Sequence, residues 1–307
     1  MSVKVDFDLT SLGHKMDVSE NAFGFLRESH DVLDNPELAN QRIEEDGYLY
    51  IPGFFGREEI LEARASVAAI FAKQGVLDPQ YPEIDAIHNK ASFLHGFSPD
   101  LVQNLPAIRK IVFGPQLLDF YRQIFNHEVL HFSFIWFRTP TRGRGTPPHC
   151  DLVYMGRGTP KLLTCWIPYG DVPLEVGGLM VLEKSHLKSE VIKNYLELDV
   201  DSYCENIPSQ VQKVAKDGRM LRDGWLTKNP VSLRAKLGGR WLTAEYRAGD
   251  LITFPMNMIH ASLDNQTDRI RMSSDTRYQR SDEPADNRWI GENPVGHSKA
   301  GKLGRVC

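Results

Sequence analysis

The sequence predicts a mostly β protein with flanking helices. Short runs rich in aromatic and β-branched residues, which are typical of strands, occur at 48–51, 129–137 and 251–254. Apolar residues recur at helical spacing over 57–73, and a second helix is predicted over 116–125. All-β barrels with added helices often form one unit well beyond 200 residues, so we expect the 307 residues to form a single domain, 1–307.

The first predicted elements are a helix and a strand. Asn35 and Pro36 suit the cap and the first turn of a helix over 36–45, because asparagine accepts from free backbone N–H groups and proline has none to leave unpaired. Asp46-Gly47 ends this helix, and the strand at 48–51 follows. Residues 74–105 lack clear periodicity, and we expect a loop region there of the length that often carries function.

Three segments are predicted to lie outside the regular β core. Residues 1–35 form a polar N-terminal arm, and residues 281–307 form a C-terminal tail rich in small polar residues. Residues 187–240 interrupt the strand pattern, and we interpret them as an insertion with helices and a short hairpin.

Composition argues against two classes of partner. A formal net charge of −4 gives no basic footprint for nucleic acid or for an anionic membrane. No apolar run approaches the length of a membrane span, and the N-terminus is too polar for a secretory signal. The four cysteines show no disulfide spacing, which favours a reducing, cytoplasmic location. We expect a monomer or a homodimer.

A metal site is predicted by His149-Cys150-Asp151 together with His260. Two imidazoles and one carboxylate are the ligand set of a non-haem iron(II) site, which leaves coordination positions open for a co-substrate and O2. On an extended strand His149 and Asp151 would point the same way and Cys150 would point away. His-x-Asp alone is weak evidence in a chain with ten histidines. The alternative is a loop histidine at 149 and a core histidine at 260.

Arg271 and Ser262 fit a second role beside that metal. A dicarboxylate that chelates iron at one end needs a fixed cation for its far carboxylate, and arginine offers a planar two-pronged donor. Ser262 lies two residues after His260, on the same face of a strand, and can add a hydrogen bond. The alternative for Arg271 is a surface ion pair.

Several motifs in a fixed order resemble the phytanoyl-CoA dioxygenase family over about 46–280. They are His149-x-Asp151, Thr164-Cys165-Trp166-Ile167-Pro168, Gly177-Gly178-Leu179-Met180-Val181, Ser185-His186, Gly249-Asp250, His260-x-Ser262, Asn265, Arg271 and Asp275-Thr276-Arg277-Tyr278-Gln279. The closing run is most similar to the bacterial natural-product hydroxylases of this family. The resemblance implies a double-stranded β-helix (jelly-roll, cupin-like) core.

The resemblance also implies the chemistry. Fe(II) is the expected metal, 2-oxoglutarate and O2 the expected co-substrates, and the expected reaction is hydroxylation of a small molecule with release of succinate and CO2. Asp151 favours hydroxylation, desaturation or ring chemistry, because halogenases of this class have a small residue at that position. The resemblance places Thr164 and Trp166 against the co-substrate.

Candidate substrate contacts are Tyr154, Arg157, Arg277 and His131. Tyr154 and Arg157 follow the iron-binding motif, although they could equally be exposed loop residues. Arg277 lies close to a buried strand and needs a partner, whereas Arg280 is expected at the surface. His131 lies in the predicted strand 129–137 and is interpreted as structural or pocket-lining.

Two other functions remain open. A cupin-like zinc hydrolase could use the same ligand types with an activated water. A non-enzymatic barrel could keep them as a stabilising metal clip. The hydrolase would not need Arg271 or Ser262, and 2-oxoglutarate would add no stability to the barrel. For the oxygenase, Phe93, Phe97, Tyr154 and Trp225 are compatible with a small apolar or amphipathic substrate.

Overall fold

The computed structural model describes residues 7–217 and 220–307. The strands are β1 (Thr10–Ser11), β2 (His14–Lys15), β3 (Phe23–Phe25), β4 (Leu49–Ile51), β5 (Val129–His131), β6 (Trp136–Arg138), β7 (Leu163–Pro168), β8 (Leu179–Leu182), β9 (Ser202–Cys204), β10 (Trp241–Thr243), β11 (Leu251–Pro255), β12 (His260–Ser262), β13 (Ser273–Arg280) and β14 (Leu303–Arg305). The α-helices are α1 (Pro36–Asp46), α2 (Arg57–Lys73), α3 (Pro106–Val112), α4 (Pro115–Phe125), α5 (Leu152–Met155), α6 (Lys193–Leu196), α7 (Pro208–Asp217) and α8 (Pro230–Leu237).

Two sheets form the centre of the molecule. The smaller has the strand order β12-β8-β10-β3, and the larger has the order β4-β11-β7-β13-β5, with β6 also paired to β13. Apolar residues of both sheets share one core, with Trp166 and Phe254 from the larger sheet and Val181 and Leu242 from the smaller. The predicted double-stranded β-helix is confirmed.

Helices cover the outer face of the larger sheet. Residues of α2 and α4, including Val67 and Tyr121, pack in one cluster with Cys165 and Ile167 of β7. Since Trp166 faces the inner core, β7 alternates between the two faces and is buried on both. The predicted helices at 36–45 and 57–73 match α1 and α2, and the Asn35 side chain accepts from the Leu38 N–H at 3.0 Å as expected for a cap.

The predicted strand 129–137 is wrong in its middle, where the chain leaves the ladder between β5 and β6. The Phe132 N–H still donates to the Arg277 carbonyl, but the Ser133 N–H donates to the carbonyl of Trp289. The C-terminal segment thus supplies a backbone partner that interrupts the strand. Residue composition alone does not reveal such a distant partner.

The terminal and inserted segments join the fold more closely than expected. From the predicted N-terminal arm, of which residues 1–6 lie outside the described residues, β3 pairs with β10. In the predicted insertion, of which residues 218–219 are not described, β9 pairs in parallel with β14 near the C-terminus, where a hairpin was expected.

Cys204 and Cys307 form a disulfide across 103 residues of sequence, although the spacing of the four cysteines had indicated none. Their separation leaves no local spacing to detect. Cys150 and Cys165 are free and buried. Across 7–217 and 220–307, no helix has the length and hydropathy that a membrane crossing requires.

Candidate metal centre and adjoining cavities

His149, Asp151 and His260 converge between the two sheets. One ligand atom from each lies within 4.8 Å of the other two. Asp151 Oδ1 is 3.7 Å from His149 Nε2 and 3.8 Å from His260 Nε2. All three side chains are buried. Two nitrogens and one oxygen therefore face a single point, as binding of one metal ion requires.

The backbone brings these three residues together in two ways. His149 and His260 exchange a pair of backbone hydrogen bonds of 3.0 Å, which fixes the two histidines side by side. Asp151 has helical backbone angles at the start of α5, so the prediction of an extended strand through Asp151 was wrong. Its side chain still reaches the histidines, while Cys150 lies in an apolar cluster behind them.

Both imidazoles are held in the tautomer that binds metal. Nδ1 of His149 lies 2.8 Å from the Pro147 carbonyl oxygen, and Nδ1 of His260 lies 3.1 Å from that of Met258. A carbonyl only accepts, so each Nδ1 carries the proton and each Nε2 keeps its lone pair. Burial, and then the neighbouring His260, lower the pKa of His149 to about 3, and burial also lowers the pKa of His260.

The two oxygens of Asp151 have different surroundings. Oδ2 accepts from Arg277 Nη2 at 2.8 Å and from Thr164 Oγ1 at 2.5 Å, whereas Oδ1 faces the histidines. Burial by itself would raise the pKa of Asp151, but Arg277, the two histidines and the Thr164 hydroxyl together bring it well below the ordinary value. The carboxylate is therefore ionised and offers one oxygen to a metal.

Arg277 belongs to a chain of alternating charges. Its Nη1 donates to Asp275 at 3.0 Å, and Asp275 accepts two bonds from Arg138, at 2.7 and 3.0 Å. The guanidinium of Arg277 also lies 4.1 Å from the centre of the Trp136 ring. Sequence reasoning expected Arg277 near the pocket but missed Arg138 and Asp275, whose roles depend on pairing between strands 137 residues apart.

A cavity lined by His149 and His260 adjoins the metal-facing atoms, and Arg271 lies in its wall. Arg271 Nη1 donates to the Gly177 carbonyl, and the buried Nε has no partner. Within the described residues, no carboxylate approaches Arg271 to ion-pair distance. Burial, together with the charge of Arg138, lowers its pKa to about 9. The surface ion pair considered for Arg271 is thus wrong, and a buried cation is left for an anionic ligand.

The other predicted co-substrate residues line the same cavity. Ser262 Oγ accepts from the Thr146 N–H at 2.7 Å, which leaves its own proton free to donate. Thr164 gives its hydroxyl proton to Asp151, so it cannot also donate to a co-substrate. Trp166 packs against Tyr246 with the ring centres 4.8 Å apart and forms an apolar wall.

A second, larger cavity also reaches the metal-facing residues and is lined by His149 and Asp151. It shares Arg138, Thr146 and His149 with the first cavity. Its remaining polar residues are Asp151, Arg277 and His297, and its apolar lining consists of Phe97, Trp136, Tyr154, Met155, Met220 and Trp225. Of the predicted substrate contacts, Tyr154 and Arg277 lie in this wall.

Arg157 and His131 line neither cavity, so we withdraw both as substrate contacts. Arg157 donates to Asp199 at 2.8 Å and to the Gly301 carbonyl at 2.8 Å, which ties the C-terminal segment to the domain. His131 stacks on Phe113 with ring centres 4.1 Å apart. His297 was missed, because nothing near it in the sequence indicates that it reaches the site.

Facing sheets around two histidines and a carboxylate are the architecture of a non-haem iron oxygenase. A sequence model described as phytanoyl-CoA dioxygenase matches residues 43–273. The chain belongs to this family and is an iron(II)- and 2-oxoglutarate-dependent enzyme. Membership of this family argues against the two other functions considered from the sequence, a zinc hydrolase and a non-enzymatic metal-stabilised barrel.

Solved structures share the fold at low sequence identity. EctD from S. alaskensis with bound Fe has 16% identity and a TM-score of 0.57, over 97% of this chain and 97% of that one. The carbocyclase SnoK from nogalamycin biosynthesis has 19% identity and a TM-score of 0.56, over 85% and 89% of the two chains. The epimerase SnoN, in complex with Fe3+, alpha ketoglutarate and nogalamycin RO, has 18% identity and a TM-score of 0.55, over 85% and 93%. Comparison with curated proteins gave no significant sequence match.

Proposed function

We propose that His149, Asp151 and His260 bind iron(II), and that the enzyme hydroxylates an unactivated C–H bond of a small molecule with release of succinate and CO2. One observation carries this proposal. Three buried ligand atoms face one point, and a buried arginine without a carboxylate partner lies in the adjoining cavity. Two neutral imidazoles and one ionised carboxylate suit iron(II).

On the co-substrate side, Arg271 and Ser262 would hold the far carboxylate of 2-oxoglutarate. Nη1 of the Arg271 guanidinium already donates to the Gly177 carbonyl, so the group is oriented before the ligand binds. Trp166, Leu179 and Phe254 form apolar walls of that cavity and exclude water from the bound chain. When bound, iron(II) would use 2-oxoglutarate and O2 together to supply the oxidant that takes a hydrogen atom from the substrate.

On the substrate side, the second cavity would hold the C–H bond beside the metal. Tyr154 contacts the edge of His149, with ring centres 5.5 Å apart, and burial raises the pKa of its hydroxyl, which therefore stays protonated. SnoN and SnoK are described as an epimerase and a carbocyclase. Enzymes of this fold thus catalyse different reactions, and identifying the product of this enzyme tests hydroxylation against desaturation or ring closure.

The first experiment is an anaerobic titration of the iron(II)-loaded protein with 2-oxoglutarate, following the visible metal-to-ligand charge-transfer band. We expect a saturable band in wild type and, in Arg271→Ala, a requirement for about 100-fold more co-substrate, because a charge-assisted bidentate contact is lost. The matched control is Arg280→Ala, which removes an exposed guanidinium paired with Asp282. Iron binding without any band would overturn the co-substrate assignment.

We also propose how the chain is organised and where in the cell it is found. We propose one catalytic domain over 1–307, present as a monomer or homodimer, without nucleic-acid or membrane partners. We propose a cytoplasmic location from the polar N-terminus and the lack of a long apolar run. The cysteine pattern no longer supports it, because Cys204 and Cys307 form a disulfide. Thiol labelling of these cysteines directly after cell lysis tests it, since full protection from labelling would favour an oxidising compartment.

A further inference from the structure

His297 brings a polar ring from the C-terminal segment to the second cavity. It lies in the cavity wall, and its side chain is 24% exposed. Its ring meets Trp289 edge-on with centres 4.8 Å apart, and it also contacts the edge of Tyr154. These contacts fix the plane of the imidazole against the rest of the wall.

Asp201 fixes the tautomer of that imidazole. Asp201 is fully buried, and its carboxylate accepts from His297 Nδ1 at 2.7 Å, from Arg288 Nη1 at 2.5 Å and from Lys302 Nζ at 2.5 Å. A carboxylate beside two permanent cations stays ionised and can only accept. Nδ1 of His297 therefore carries a proton.

The carboxylate of Asp201 is shared with two cationic side chains, those of Arg288 and Lys302, and Asp286 also accepts from Arg288 at 2.5 Å. In a neutral imidazole with its proton on Nδ1, Nε2 is an acceptor, and no hydrogen-bond partner for Nε2 occurs within 7–217 or 220–307.

We propose that His297 Nε2 accepts a hydrogen bond from an O–H or N–H group of the substrate. Most of the remaining wall is apolar, with the flat rings of Phe97, Trp136 and Trp225. Substrates would then be aromatic or otherwise flat apolar molecules that carry a donor group. The inference rests on the proposed function only in taking this cavity as the substrate site.

The test compares two probes that differ only in the donor, 2-naphthol and 2-methoxynaphthalene. Calorimetric titration uses the full chain loaded with redox-inert zinc(II) and 2-oxoglutarate. We expect wild type to bind 2-naphthol about tenfold more tightly, as one buried hydrogen bond allows. In His297→Phe the two affinities should become equal, with little change for 2-methoxynaphthalene. His127→Phe is the matched control, because His127 also lies near a carboxylate, Asp282, but outside the cavity.

A second measurement holds even if His297→Phe does not fold. Nitrogen-15 NMR of wild-type histidine side chains should show His297 protonated at Nδ1 and bare at Nε2, with the Nε2 signal moving when 2-naphthol is added. The opposite tautomer, equal binding of the probes to wild type, an unchanged preference in His297→Phe, or no saturable binding of either probe would each overturn the inference. The charge-transfer titration does not involve His297, so an intact band with any of these results would overturn this inference and leave the proposed function standing.

Discussion

At the scale of single residues, the metal centre depends on how the two oxygens of Asp151 are used. Arg277 and Thr164 occupy Oδ2, so only Oδ1 faces His149 and His260. The carboxylate is thereby held for contact with a metal through one oxygen. Without a metal, Arg277 is the main positive charge that balances this buried group.

The substitution Arg277→Met tests whether the charge of Arg277 compensates the buried carboxylate of Asp151. Removing one partner of a buried ion pair leaves the other uncompensated, so the metal-free variant should lose about 3 kcal/mol of unfolding free energy. Added zinc(II) should restore more stability to the variant than to wild type, because the metal replaces the missing positive charge. Urea denaturation with and without zinc(II) measures both effects. Arg280→Met, at an exposed pair, should cost less than about 1 kcal/mol. If Arg277→Met lost the same unfolding free energy with zinc(II) as without it, the result would contradict this role for Arg277.

A pH dependence follows from the buried histidines of the metal-free protein. The pKa of His149 is about 3 in the folded chain and about 6.5 when unfolded. Below pH 6.5 His149 binds a proton in the unfolded state but not in the folded state. The free energy of unfolding therefore falls as the pH drops from 6.5 towards 3. Between pH 7 and pH 5, wild type should lose about 2 kcal/mol more than His149→Gln in urea denaturation. Parallel curves for the two proteins would show that His149 accepts a proton in the folded state.

At the scale of elements, the turn before β8 positions the co-substrate arginine. Gly177 has φ +80°, and a Cβ there would lie 2.6 Å from the backbone of Asp264. Its carbonyl is the acceptor for Arg271. A residue with a side chain would be strained and would also push this carbonyl away from the arginine.

Gly177→Ala should therefore weaken 2-oxoglutarate binding about tenfold, the effect of losing one hydrogen bond that orients Arg271. The charge-transfer titration measures the shift. Gly143→Ala is a matched control, because Gly143 also has positive φ, +75°, but nothing lies within 4 Å of a Cβ built there. An equal shift in both variants would mean that backbone strain alone, and not the Arg271 contact, is responsible.

The elements also show which structure could be predicted from sequence. The bounds of α1 and α2 depend on a cap and on apolar spacing within the helix itself, and both predictions were correct. The break between β5 and β6 depends on Trp289, which is more than 150 residues away in the chain. For the site, the ligand motif and Arg271 have local signatures. Arg138 and His297 acquire their places only through tertiary contacts.

At the scale of the whole molecule, the C-terminal segment is tied to the predicted insertion. The strand β14 pairs with β9, Asp201 binds Arg288, His297 and Lys302, and Cys204 is bonded to Cys307. These contacts join parts of the chain about 100 residues apart. They close one side of the second cavity, to which His297 and Met220 contribute.

The disulfide predicts a stability effect that is separate from the metal centre. Opening a loop of 103 residues frees the unfolded chain, so Cys307→Ser should lower the unfolding free energy by about 2–4 kcal/mol. Wild type treated with a phosphine reductant should match the variant, because both lack the same bond. The iron and 2-oxoglutarate band should be unchanged in both, since Arg271 and the three metal-facing side chains lie on other elements. If the reductant leaves the denaturation midpoint of wild type unchanged, the two cysteines are not bonded in solution, and the C-terminal segment is held by the Asp201 cluster and the β9–β14 pairing alone.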